Sequence, residues 1–316
     1  MVRRLRALPA VIGLLLAAPA AAAQAEPCSM PQVPKVCDDP GLRALDARLV
    51  AAERAVAAAT ARPATWRGRG EWLRAWLATA KDFEDKPLDV DALRSHIEGQ
   101  IDDLDKELAR ARTVPRAADR AAILGDKCLG GWLAIGCTVP AAGVVREGDA
   151  TILWRVESGA SETDGIGMGM LLWDASAPGA PRLIGWTYEG VQMEAPHFQH
   201  ESGLLLAPGR RAGTGEGNAD VLYQKRGDRW VEIDMGSWRD ALGKRLPDGI
   251  DSWKGVDYYF LGQAIGADTE LWKPADANCC ATAGRANLGF TIEDDRLKLD
   301  TVSAQLGGPA QEWKDF

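Results

Sequence analysis

The residues best equipped for chemistry are the six cysteines, which fall as three close pairs: Cys28 with Cys37, Cys128 with Cys137, and Cys279 with Cys280. A thiolate is a nucleophile and a metal ligand, whereas two thiols in an oxidising compartment form a disulfide. An even count behind an export leader favours disulfides. Cys28 and Cys37 are expected to bond each other, which would stabilise the fold by roughly 2–3 kcal/mol on the chain-entropy model. Cys128 and Cys137 share that spacing and could close a second loop. Cys279 and Cys280 are adjacent. They either bond each other or each reach another cysteine, and they lack the two-residue spacer of a redox pair. Lys35 lies inside the first loop and is the one local cation held by a covalent constraint.

Other constellations are weaker. Glu194-Ala-Pro-His-Phe-Gln-His-Glu201 gathers two of the three histidines with two carboxylates, a donor set suited to zinc. Pro196 argues against the helix that would aim both imidazoles one way, so a surface loop is expected and no metal is assigned. Gly165-Ile-Gly-Met-Gly169 misses the dinucleotide fingerprint and reads as a glycine-rich loop. No nucleophile elbow, phosphate loop or zinc-protease motif occurs. His96 sits on an amphipathic helix with no nucleophile nearby. The chain reads as a non-enzyme without a cofactor. Of the twelve tryptophans, Trp154 and Trp230 are expected in the core. Trp253 and Trp313 are the better candidates for exposure.

The elements that position these residues start after a leader. Arg3, Arg4 and Arg6 precede an apolar run from Leu8 to Ala18, and Ala23-Gln-Ala25 fits the cleavage rule, so residues 1–25 read as a signal peptide. No later run is apolar enough to span a membrane. The expected location is periplasmic or secreted. The formal net charge is −8, and losing the three leader arginines makes the mature chain more acidic. Most of the excess lies beyond residue 121. That excludes nucleic acid as a natural partner and suits a cationic one.

Residues 26–115 read as helical. Asp39 is an N-cap with Pro40 at the first helical position, and Leu42, Leu45 and Leu49 form a stripe with Asp46 beside it. This helix is expected to run to about Ala61. A second is expected over about 70–83, with Trp72, Leu73, Trp76 and Leu77 at helical spacing. In the third, Val90, Leu93, Ile97, Ile101, Leu104 and Leu108 keep one face apolar over five turns. Three such helices with short connections predict a disulfide-stapled antiparallel bundle.

The segment Cys28-Ser-Met-Pro-Gln-Val-Pro-Lys-Val-Cys37-Asp-Asp-Pro-Gly-Leu-Arg-Ala-Leu-Asp-Ala-Arg-Leu49 resembles the opening of the LprI-type lysozyme-inhibitor N-terminal domain. Glu71-Trp-Leu-Arg-Ala-Trp76 is similar to that family's second-helix segment. His96-Ile-Glu-Gly-Gln-Ile-Asp-Asp-Leu104 stands where the family has an aromatic followed by Arg-Ile and Leu. The family often has a further cysteine near the end of the second helix, where this chain has Lys81-Asp-Phe83. The resemblance covers about residues 28–112. It implies a bacterial envelope protein that binds lysozyme, or another cationic cell-wall hydrolase, and inhibits it.

Residues 116–126 read as a linker, and 127–316 as an acidic, mainly antiparallel β domain. Ile152, Trp154 and Val156 alternate with Leu153, Arg155 and Glu157. Asp220–Lys225 and Trp230–Ile233 flank a hairpin signal at Arg226-Gly-Asp-Arg229. Leu288, Phe290 and Ile292, then Leu297, Leu299 and Thr301, alternate around Asp294-Asp295. A short helix is expected over about 237–244. Asp276–Gly284 with Asn218–Tyr223 resembles a region of uncharacterised bacterial envelope proteins. The alternative to inhibition is a non-catalytic envelope module that recognises glycan or protein through this β domain. A hydrolase using the β domain ranks third.

Overall fold

The computed structural model describes residues 27–60, 73, 74, 77, 86–200, 202–213, 217–252, 254–277, 279–308 and 310–316. The leader, most of the helix expected over 70–83, and Trp253 lie outside the described residues. The chain combines helices with antiparallel sheets. No described helix is long and apolar enough to cross a membrane.

Helix α1 (Pro34–Asp38) forms the end of the first disulfide loop and carries Cys37. Helix α2 (Pro40–Ala59) starts where the sequence places it: the Asp39 side chain accepts from the Leu42 amide at 2.8 Å, and Pro40 gives up no needed donor. Helix α3 (Val90–Thr113) begins with Asp89 accepting from the Ala92 amide. Leu42, Leu45 and Leu49 of α2 share a buried core with Leu93, Ile97, Ile101 and Leu104 of α3. Met30, Val33 and Val36 close it from the disulfide loop, and the helical residues Leu73 and Leu77 join it. Burying each such side chain contributes about 1.5–3 kcal/mol.

Strands β1 (Ile135–Glu147), β2 (Ala150–Ser161), β3 (Gly165–Asp174) and β4 (Arg182–Gly190) form a meander in chain order. The glycine-rich run at 165–169 therefore belongs to a strand, not to a loop. Gly169 is needed there because the Tyr188 ring crosses it: a Cβ would lie 2.2 Å from that ring. Strands β5 (Gln192–Met193) and β8 (Gly209–Arg210) pair as a short ribbon. Strands β6 (His197–Gln199), β7 (Leu204–Ala207), β9 (Val221–Arg226) and β10 (Arg229–Ile233) form a second sheet ordered β10-β9-β7-β6. The expected hairpin joins β9 to β10. Strands β11 (Asp257–Leu261), β12 (Ala264–Leu271), β13 (Gly284–Glu293), β14 (Arg296–Leu306) and β15 (Lys314–Asp315) form a third sheet in chain order.

Helix α4 (Arg120–Ile123) covers one face of the first sheet, where Ile123 and Leu133 pack on Leu153, Leu171 and Trp173. The opposite face, with Ile152, Trp154 and Val156, packs on Leu205, Ala207, Tyr223 and Trp230 of the second sheet. The far face of the second sheet meets helix α5 (Arg239–Arg245) and the third sheet. Stacking on both sides explains why β2 and β7 read as nearly continuous buried runs. In β14 the expected alternation breaks. Gly289 pairs with Thr301 but Phe290 with Leu299, so Asp300 is an extra residue. This bulge leaves Thr301 exposed and puts Val302 and Ala304 into the core instead.

Candidate functional site

The Cys28–Cys37 disulfide is formed, with its Cα atoms 5.6 Å apart. The loop it closes is also held by a polar chain running through the helical core. The Ser29 amide donates to Asp46 Oδ2 at 2.7 Å, and Ser29 Oγ donates to Asp46 Oδ1. Arg74 Nε donates back to Ser29 Oγ at 2.9 Å, and its two terminal nitrogens grip Glu53 at 2.7 and 2.9 Å. Asp46, Glu53 and Arg74 are all buried. Paired in this way, their charges avoid the cost of isolated burial. Lys35 is exposed on α1, and its Nζ donates to the Leu88 carbonyl at 2.9 Å, tying the loop to the start of α3. The sequence reading missed Glu53 and Arg74. A signal was present, because Asp46 follows Leu42, and Glu53 follows Leu49, by four residues, which places both acids within the apolar stripe.

A second polar cluster lies under α4. Arg155 and Glu157 alternate with apolar neighbours and would be expected in solvent, yet both are fully buried. Arg155 Nη1 donates to the carbonyls of Ala122 (2.8 Å) and Ile123 (3.3 Å), and Nη2 to that of Lys127. Its Nε lies 3.0 Å from Glu157 Oε1. Glu157 accepts from the Leu129 amide at 2.6 Å and the Gly130 amide at 3.0 Å. Burial works to raise the Glu157 pKa and to lower that of Arg155, while their pairing and the two amides oppose it. The pair clamps residues 122–130, a segment that carries Cys128, which is bonded to Cys137. The two sulfurs and the Glu157 carboxylate lie within 4.8 Å of one another. The sulfurs are bonded to each other and offer no thiolate to a metal.

A cleft of about 380 Å³ opens where the ribbon, β6 and the edge strand β11 meet. Asp220 sits at its base, with Oδ1 accepting from the Gly209 amide at 2.9 Å and Oδ2 from Asn218 Nδ2 at 2.6 Å. Burial pushes the Asp220 carboxyl above the ordinary aspartate range against those two bonds. Arg210 Nη2 donates to Asp257 Oδ1 at 2.6 Å on one wall. Glu194 and His197 line the rim. His200 does not converge with His197: it is 95 % exposed and faces Glu147 at 3.3 Å. The segment expected as a loop contains strand β6, which starts at His197 and ends before His200. A larger open depression of about 630 Å³ lies beside α4 and Ala175–Pro181, and among the described residues that line it only Asp119 and Arg120 are charged.

Cys279 and Cys280 bond each other. Asp276 holds their loop through bonds from the Lys273 amide (2.8 Å), the Thr282 amide (2.9 Å) and Thr282 Oγ1 (2.6 Å). Among the described residues no cysteine is free. Trp154 and Trp230 are buried and Trp313 is exposed, as their contexts in the sequence suggest. Comparison with known protein families and with curated proteins finds no match for this chain.

Proposed function

We propose that this chain is an exported, non-catalytic binding protein whose N-terminal part, a disulfide-stapled three-helix bundle of the LprI type, inhibits a lysozyme. The observation that supports this reading is how the Cys28–Cys37 loop is held. A disulfide, the Ser29–Asp46–Arg74–Glu53 chain and the Lys35–Leu88 bond fix it from three sides. Pro31, Gln32, Pro34, Lys35 and Asp38 are left exposed along its rim. A rim already fixed in place loses little conformational freedom when it docks. Lysozyme presents two carboxylates in its cleft. An ammonium has three donors, and only one of those on Lys35 is used by Leu88. Three disulfides fit a periplasmic or secreted location.

The test is a cell-wall lysis assay with the full exported chain against several lysozyme types. Lysis should slow in proportion to the protein added. Lys35→Glu should weaken inhibition about tenfold, or ~1.4 kcal/mol, with the fold intact. If no lysozyme is slowed by a large molar excess, the inhibitor reading fails.

A further inference from the structure

The cleft between the ribbon and β11 carries chemistry that lysozyme inhibition by the helical part does not use. We propose that it is a saccharide-binding site that takes a neutral oligosaccharide through adjacent hydroxyls. Its volume of about 380 Å³ falls within the range of small-molecule sites, roughly 300–1,000 Å³.

Three features select the ligand class. First, Asp257 and Arg210 stand side by side at 2.6 Å, with both side chains open to an incoming ligand. Two vicinal hydroxyls each donate and accept, so a carboxylate next to a guanidinium meets both at once. Second, Asp220 and the amides of Gln192 and Gln199 add planar donors and acceptors in the same cleft. Third, Tyr259 of β11 is among the lining residues. On β11, Tyr258 turns into the core, where its hydroxyl donates to the Met235 carbonyl at 2.7 Å. Tyr259 turns the other way and lies across its partner Gly266, where a Cβ would come within 2.4 Å of the ring. The Tyr259 hydroxyl is fixed by Asn287 Nδ2 at 2.6 Å. The ring is half-buried, with one side on glycine, and offers its other side to the C–H face of a sugar. A cationic ligand fits less well, because the Arg210 guanidinium already occupies the place beside Asp257.

The experiment is calorimetric titration of the full exported chain with chitotriose, cellotriose and, as a cation, trilysine. At least one trisaccharide should bind. Tyr259→Ala and Asp257→Asn should each weaken it about tenfold or more, while Tyr259→Phe keeps the ring and binds within about threefold. Trp313→Ala, at the opposite edge of the same sheet, should leave binding unchanged, and circular dichroism would confirm that each variant folds. The proposal is overturned if neither trisaccharide binds. It is equally overturned if trilysine alone binds, or if folded Tyr259→Ala and Asp257→Asn bind as the parent does. None of these results depends on whether lysozyme is inhibited.

Discussion

The Asp276 carboxylate accepts from two amides and a hydroxyl while exposed to water, and these bonds hold its pKa below the ordinary aspartate value. A carboxyl whose pKa is lowered by folding contributes stability above its unfolded pKa and loses it as pH falls through the folded one. The loop carrying Cys279 and Cys280 should therefore loosen locally in acid. Amide exchange should show Lys273 and Thr282 protected at about pH 5 and losing protection below the ordinary aspartate range, about pH 3.9. Asp276→Asn should reduce that protection at about pH 5 to the level the parent shows in acid, and remove its pH dependence. Protection that stays constant through acid would refute the role. Asp276 was legible in the sequence only as part of a loop, because its partners are backbone amides that sequence patterns do not mark. Asp46 and Glu53 were more legible, since each lies at helical spacing within an apolar stripe. Their partners were not, since Ser29 and Arg74 reach them from distant parts of the chain. Lys35 was legible as a constrained cation, but its bond to the Leu88 carbonyl depends on how α1 meets the start of α3.

At the scale of elements, helix caps and strand alternation predicted existence well and burial poorly. Asp39 and Asp89 cap their helices because the first-turn amides need acceptors, a local requirement readable from a few residues. Strand β2 alternates in sequence, but a second sheet covers one face and α4 with its loop covers the other, so Arg155 and Glu157 are buried. The signal was that Leu153, in phase with those charges, is itself apolar. The cleft was legible only through Glu194 and His197, because the ribbon, β6 and β11 that build it come together from distant segments. Arg155 and Glu157 satisfy five carbonyl and amide groups of 122–130 besides each other, leaving that segment dependent on the pair. Arg155→Met should leave Glu157 uncompensated and cost about 3–5 kcal/mol in urea unfolding. It should also expose Cys128–Cys137 to reductant faster, while Cys28–Cys37 reduces at the parental rate. A loss under about 1 kcal/mol would mean that the segment is held by apolar packing alone.

The whole molecule joins the helices to three sheets, with α4 on the first sheet and α5 packed with the second and third. Contacts between the helical part and the first sheet are polar as well as apolar. Arg110 of α3 pairs with Asp164 at 2.7 Å and lies over the Trp132 ring, and Arg116 donates to the last carbonyls of α2. None of these pairings could be foreseen from local pattern, since each joins residues from separate segments. Net charge, by contrast, was legible from composition alone and needs no fold. A chain at −8 creates a field that acts before contact, drawing in a cationic partner and orienting it. Salt screens such a field over about 8 Å at physiological strength. Association with a cationic lysozyme, measured by stopped flow, should therefore slow about tenfold or more from ~10 mM to ~150 mM salt. Dissociation should change much less, because contacts already formed are shorter than the screening length. An association rate independent of salt would reject steering by the acidic sheets and would leave recognition to the Cys28–Cys37 loop alone.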